Sequence, residues 1–118
     1  LAQHIQSAAA LPAIDVQATL TEYTALACAN DVMRHAADAA SLIVCGGGAL
    51  NGQLMSRLAH HLPQLQVLNS ADRGLPPLQV EAAAFAWLAF KTMRRETSNL
   101  PSVTGARGAR VLGAIYPR

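Results

Sequence analysis

Residues Cys45 to Gly52 read CGGGALNG and are the part of this 118-residue chain best suited to chemistry. Gly46, Gly47 and Gly48 present a bare backbone that a ligand can approach closely and that reaches positive φ. The apolar run SLIVC precedes them, and an amphipathic stretch opening at Asn51 follows, so the order is strand, glycine turn, helix start. The unpaired N–H groups and positive dipole end of such a helix make a natural anion or nucleotide site. A plainer reading needs no ligand: a tight strand-to-helix turn with Asn51 as its N-cap. The spacing excludes two familiar motifs. No GxxxxGKS or GxxxxGKT occurs, so this is not a P-loop, and Gly46, Gly48 and Gly52 give GxGxxxG, one residue too long for the dinucleotide fingerprint.

Glu81 is the sole acid in VEAAAFAWLAF. It either complements the dipole of a helix first turn or stands as a carboxylate ready to accept hydrogen bonds from sugar hydroxyls. The loop Asn99 to Ala106, NLPSVTGA, is either a packed turn or a contact to phosphate or sugar through Ser102, Thr104 and backbone N–H groups. His4, His35, His60 and His61 lack metal-ligand spacing and read as exposed, so no metal site is expected. No Ser-His-Asp or Cys-His arrangement suggests a nucleophile, and no catalytic residue is assigned. Phe85 and Trp87 read as core anchors. Cys28 and Cys45 belong to no CxxC pair and read as buried free thiols suited to a reducing cytosol.

The elements that must position these residues follow from periodicity. Residues 1 to 13 read as a short helix or an incoming connection. A long helix is expected over 15 to 38, capped by Asp15, with Val16, Leu20, Tyr23, Ala27 and Met33 at helical spacing. A buried strand is expected over 41 to 45. A helix follows over 51 to 61, with Leu54, Met55, Leu58 and Leu62 on one face and Pro63 as its stop. Residues 66 to 68 form a second candidate strand, and Gly74, Pro76 and Pro77 make 69 to 78 a loop. A third helix, apolar around most of its girth and expected to be buried in its first half, covers 79 to 95. A polar loop then leads to VLGAIYP, a last short strand. Helices alternating with strands argue an α/β fold, a sheet covered by helices.

Composition sets the outer bounds. At 118 residues, with 52% apolar and 14% charged, the chain suits one globular core built on Leu, Val, Ile and Ala. A net charge of +2 with scattered arginines gives no basic stripe, so no nucleic-acid partner is expected. No segment approaches a membrane span, so no membrane partner is expected either. The chain begins with Leu rather than Met, as a piece of a longer protein would.

Taken together, the segments resemble a known family. DVQATLTEYTA from Asp15, VCGGGALN, GLPPLQVEAAAFAWLA, NLPSVTGA and VLGAIYP, in that order and spacing, resemble the C-terminal part of the anhydro-N-acetylmuramic acid kinases over residues 15 to 118. The pair EAxAFAWLA and NLPSVTGA is specific, whereas the glycine run alone is not. Leu78 stands where members often carry Asp after the two prolines, and Ser98 stands where Gly is common.

The resemblance implies the acetate and sugar kinase, heat-shock protein and actin superfamily. On that reading residues 1 to 14 are an incoming connection. Residues 15 to 118 are the C-terminal, nucleotide-side lobe of an actin-like (ribonuclease H-like) fold whose N-terminal lobe is absent. ATP with Mg²⁺ would be the cofactors and anhydro-N-acetylmuramic acid the substrate, phosphorylated as water opens its 1,6-anhydro ring during peptidoglycan recycling in the cytoplasm. Gly46, Gly47, Gly48 and Asn51 would contact nucleotide, and Glu81 the sugar. The catalytic aspartate lies upstream in the family. Asp15 and Asp31 do not match it, so the chain alone is expected to be inactive. A homodimer is left open. The rival readings are a non-catalytic actin-like module that binds nucleotide or sugar, and a dinucleotide-binding oxidoreductase domain, which the glycine spacing disfavours.

Overall fold

A computed structural model describes residues 11–117; of the connection expected over residues 1 to 14, residues 1 to 10 lie outside the described residues and Ala13 already opens the first helix. The elements run α1 (Ala13–His35), β1 (Ser41–Val44), a 3-10 turn (Gly47–Leu50), α2 (Gly52–His61), β2 (Gln66–Asn69), 3-10 turns at Ser70–Arg73 and Pro77–Gln79, α3 (Val80–Met93) and a single-turn α4 (Pro101–Thr104). The chain divides into two compact units, one ending at Pro77 and the other beginning at Leu78.

In the first unit β1 and β2 pair in parallel, Leu42 beside Val67 and Val44 beside Asn69. Parallel strands cannot be joined by a tight hairpin, and the glycine turn plus α2 supplies the crossover they require. Helix α1 packs on α2. The core is small: Ala29, Leu62 and Leu65, with Val32, Ala39 and Leu42 packed around them. Leu62, directly after α2, is wholly buried. This is a helix-rich α/β unit around a two-stranded parallel sheet.

The face that α1 turns inward departs from expectation. Ala25 and Ala29, one turn apart, are its buried residues, while Leu20, Tyr23 and Met33 are exposed, Tyr23 by 71%. The small Ala29 packs in one cluster with the bulky Leu62 and Leu65, so the alanine stripe takes the interior and the larger stripe is left outside. Asp15 lies in the first turn without capping it; Pro12 occupies the N-cap. Cys28 and Cys45 are free but exposed, not buried, because Cys28 follows the outward face of α1 and Cys45 leaves the strand.

In the second unit α3 has no buried residue, against the expectation of an enclosed first half. Phe85 and Trp87 are 63% and 50% exposed and anchor no core, since the segments beside α3 are too short to enclose it. An apolar groove runs between Phe85, Leu88 and Met93 on α3 and Leu112 to Ile115. The expected last strand, VLGAIYP, is irregular and exposed: it finds no partner strand among the described residues, and the Thr92 hydroxyl donates to the carbonyl of Leu112.

Candidate functional site

The glycine turn sits at the carboxyl ends of the two parallel strands, the side on which open α/β sheets bind their ligands. Its glycines answer three different demands. Gly46 adopts φ +72°, in the left-handed region, and its N–H donates to the carbonyl of Pro77 at 3.0 Å. Gly47 is exposed, and a Cβ there would meet nothing within 4 Å. Gly48 is half-buried, and a Cβ would lie 3.3 Å from Cδ2 of Leu54, so its smallness lets α2 close on the turn.

The turn is also more elaborate than a strand running straight into a helix. Residues Gly47–Leu50 make their own 3-10 turn, closed by Ala49 N–H to the Gly46 carbonyl (3.2 Å) and Asn51 N–H to the Gly48 carbonyl (3.1 Å). Helix α2 then begins at Gly52. Asn51 is its N-cap as expected, its Oδ1 accepting from Leu54 N–H at 3.1 Å. That oxygen is committed, while no hydrogen bond from the Asn51 amide NH₂ is made among the described residues. No acidic residue occupies the first turn of α2, so the positive end of the helix is not neutralised locally.

Asn51 also lines two shallow hollows between α1 and the start of α2. One is walled by Gln17, Leu20, Thr21, Thr24 and Leu54, the other by Ile14, Gln17, Ala18, Thr21 and Gln53. Gly46, Gly47 and Gly48 line neither. The structure thus brings the three glycines and Asn51 together, with the turn open and not packed shut.

Glu81 belongs to the second unit. It lies in the first turn of α3, exposed, and among the described residues its carboxylate has no hydrogen-bond or ion-pair partner. Gln79 at the N-cap makes no side-chain cap. The NLPSVTGA loop is held by a residue that sequence reasoning passed over. Asn99 donates through Nδ2 to the Gly108 carbonyl (3.1 Å) and accepts from Arg110 N–H through Oδ1 (2.6 Å). The Thr104 hydroxyl donates to the Leu100 carbonyl at 3.1 Å and so serves the local turn, while Ser102 is exposed.

A second unanticipated cluster ties α1 to α2. Glu22 accepts from Arg57 Nε (2.5 Å) and Nη2 (2.8 Å), and His61 Nε2 lies 2.8 Å from its Oε1. His61 is therefore half-buried and engaged rather than exposed, whereas His35 and His60 are exposed as expected; His4 lies outside the described residues. The hydrogen bonds from Arg57, then the one with His61, hold the Glu22 carboxyl at about 2, well below its ordinary value. Glu22 lies 35 residues from Arg57 and 39 from His61 in the chain, and no local sequence signal announces the link.

Among the described residues no group of three His, Cys, Asp or Glu side chains could hold a metal ion, and no helix is long and apolar enough to cross a membrane.

A family model described as anhydro-N-acetylmuramic acid kinase matches residues 1–118. Similar proteins bear the same name. One from Variovorax paradoxus is 66% identical over 116 residues, covering 94% of this chain and 31% of the relative. Another from Albidiferax ferrireducens is 64% identical over 104 residues, covering 88% of this chain and 27% of the relative. A third from Cupriavidus pinatubonensis is 58% identical over 113 residues, covering 96% and 30%. The chain thus spans less than a third of the length of these relatives.

Proposed function

The chain belongs to the anhydro-N-acetylmuramic acid kinase family, and on that premise we propose that residues 15 to 118 are the C-terminal, nucleotide-side lobe of an actin-like sugar kinase. The intact enzyme phosphorylates anhydro-N-acetylmuramic acid with ATP while water opens the 1,6-anhydro ring, giving N-acetylmuramic acid 6-phosphate for peptidoglycan recycling in the cytoplasm.

One observation carries the reading: the exposed, unobstructed Gly47 in a turn at the carboxyl ends of parallel strands, just before a helix with no acid in its first turn. The backbone around Gly46, Gly47 and Gly48 would lie against the nucleotide, and the Asn51 amide would donate to it. Glu81, unpaired on a helix first turn, would accept hydrogen bonds from sugar hydroxyls. When bound with the nucleotide, Mg²⁺ would neutralise charge on the phosphates. The work of this lobe is to bind and orient the nucleotide rather than to move protons. The 118 residues alone turn over no substrate.

The test is an NMR titration of the chain with a non-hydrolysable ATP analogue. Amide shifts confined to Gly46 through Asn51 are expected. Shifts elsewhere, or preferential binding of NAD, would overturn the assignment.

A further inference from the structure

Asn69 ends β2, and its side chain joins two turns that follow the strand ends. Its Nδ2 donates to the Ala49 carbonyl at 3.3 Å, inside the glycine turn. Its Oδ1 accepts from Ala71 N–H at 2.9 Å, while its own N–H donates to Asp72 Oδ2 at 2.9 Å, closing a capping box on the Ser70–Arg73 turn. The register sets Asn69 beside Val44, two residues before the first glycine.

We infer that Asn69 is a positioning residue for nucleotide binding, acting through the Ala49 carbonyl to hold the Gly47–Leu50 turn at the level of the strand ends. The inference rests on the nucleotide reading of that turn. A 3-10 turn has poorer hydrogen-bond geometry than an α-helix, and this one is closed by i+3 bonds such as Ala49 N–H to the Gly46 carbonyl. Gly46 and Gly47 carry no side chain to anchor the turn, and a Cβ at either would meet no atom within 4 Å. The Nδ2 donor is a lateral tie from the neighbouring strand. It reaches the buried Ala49, the one enclosed residue of the turn. The capping box in turn fixes the Asn69 rotamer by occupying Oδ1, so the NH₂ group points at Ala49 whether or not nucleotide is present.

Two roles must be told apart, because Asn69 also caps its own turn. Asn69→Asp keeps an oxygen to accept from Ala71 N–H and replaces the donor by an oxygen facing the Ala49 carbonyl. In the full-length kinase, Asn69→Asp and Asn69→Ala are both expected to raise the KM for ATP roughly threefold to tenfold, the worth of one such hydrogen bond, with kcat and the KM for the sugar within about twofold of the parent. Amide hydrogen exchange at Gly48 through Leu50 should quicken in Asn69→Asp while the melting temperature stays near the parent's; this second readout applies even to a poorly active variant. Gly47→Val is measured alongside. A raised KM in Gly47→Val with unchanged ATP binding and unchanged exchange in Asn69→Asp overturns the role of Asn69 and spares the site. No effect of either substitution on ATP binding overturns both.

Discussion

Glu22 on α1 and Arg57 on α2 meet in a two-point ion pair, Nε to Oε2 at 2.5 Å and Nη2 to Oε1 at 2.8 Å, with His61 against the same carboxylate. It is the polar counterpart of the core cluster of Ala29, Leu62 and Leu65, and it links the same two packed helices.

Acid should loosen that fastening. The folded Glu22 carboxyl sits at about 2 against an ordinary 4.5, so the unfolded chain takes up the proton first. The stabilisation is therefore complete above about pH 5 and lost as pH falls from there towards 2. Urea midpoints measured across this window should drop more steeply for the parent than for Glu22→Gln. Glu96, lowered by Lys91 and Arg94, gives both proteins a common background slope. Parallel slopes would refute the linkage.

Leu62→Ala should cost about 2–5 kcal/mol in chemical denaturation, since its side chain is wholly enclosed and deletion leaves a cavity. Phe85→Ala, at an exposed position, should change stability by less than about 0.5 kcal/mol in the same assay. A large loss at Phe85 would mean that α3 is covered after all.

The glycines should separate stability from binding. Gly46→Ala forces a side chain into the left-handed region and is expected to destabilise the fold by about 1 kcal/mol. Gly47→Val meets no neighbour, so its melting temperature should stay close to the parent's while ATP-analogue binding weakens. Equal loss of stability in both variants would contradict the open position of Gly47.

Both thiols should react with a water-soluble thiol reagent in the folded chain, because Cys28 and Cys45 are exposed. Labelling that appears only after denaturation would place them inside.

The first unit was legible where local chemistry decides structure. The run SLIV forms β1, one residue shorter than expected and half-buried with Ile43 exposed rather than enclosed; three glycines form the turn, Asn51 caps α2, and Pro63 lies just beyond its end. The face α1 buries was not legible, because Ala25–Ala29 and Leu20–Tyr23 are both apolar, and only the shape of α2 chooses between them. Phe85 and Trp87 misled for a related reason: apolar character announces that a surface wants cover, not that the cover lies in these 118 residues. The tail VLGAIYP has the composition of a strand, yet a strand exists only where another offers its N–H and C=O groups. The glycine turn and its Asn51 cap were readable in the sequence, whereas Asn69 and Glu22 act through partners 20 and 35 residues away that no periodicity connects.

The two-stranded sheet has a practical consequence. Neither β1 nor β2 is flanked on its far side among the described residues, so each offers a ladder of unsatisfied main-chain groups to any extended chain that comes near. Handled by itself at high concentration, this polypeptide would be drawn into strand-to-strand stacking with its own copies, and it is best kept dilute or co-produced with whatever completes the sheet.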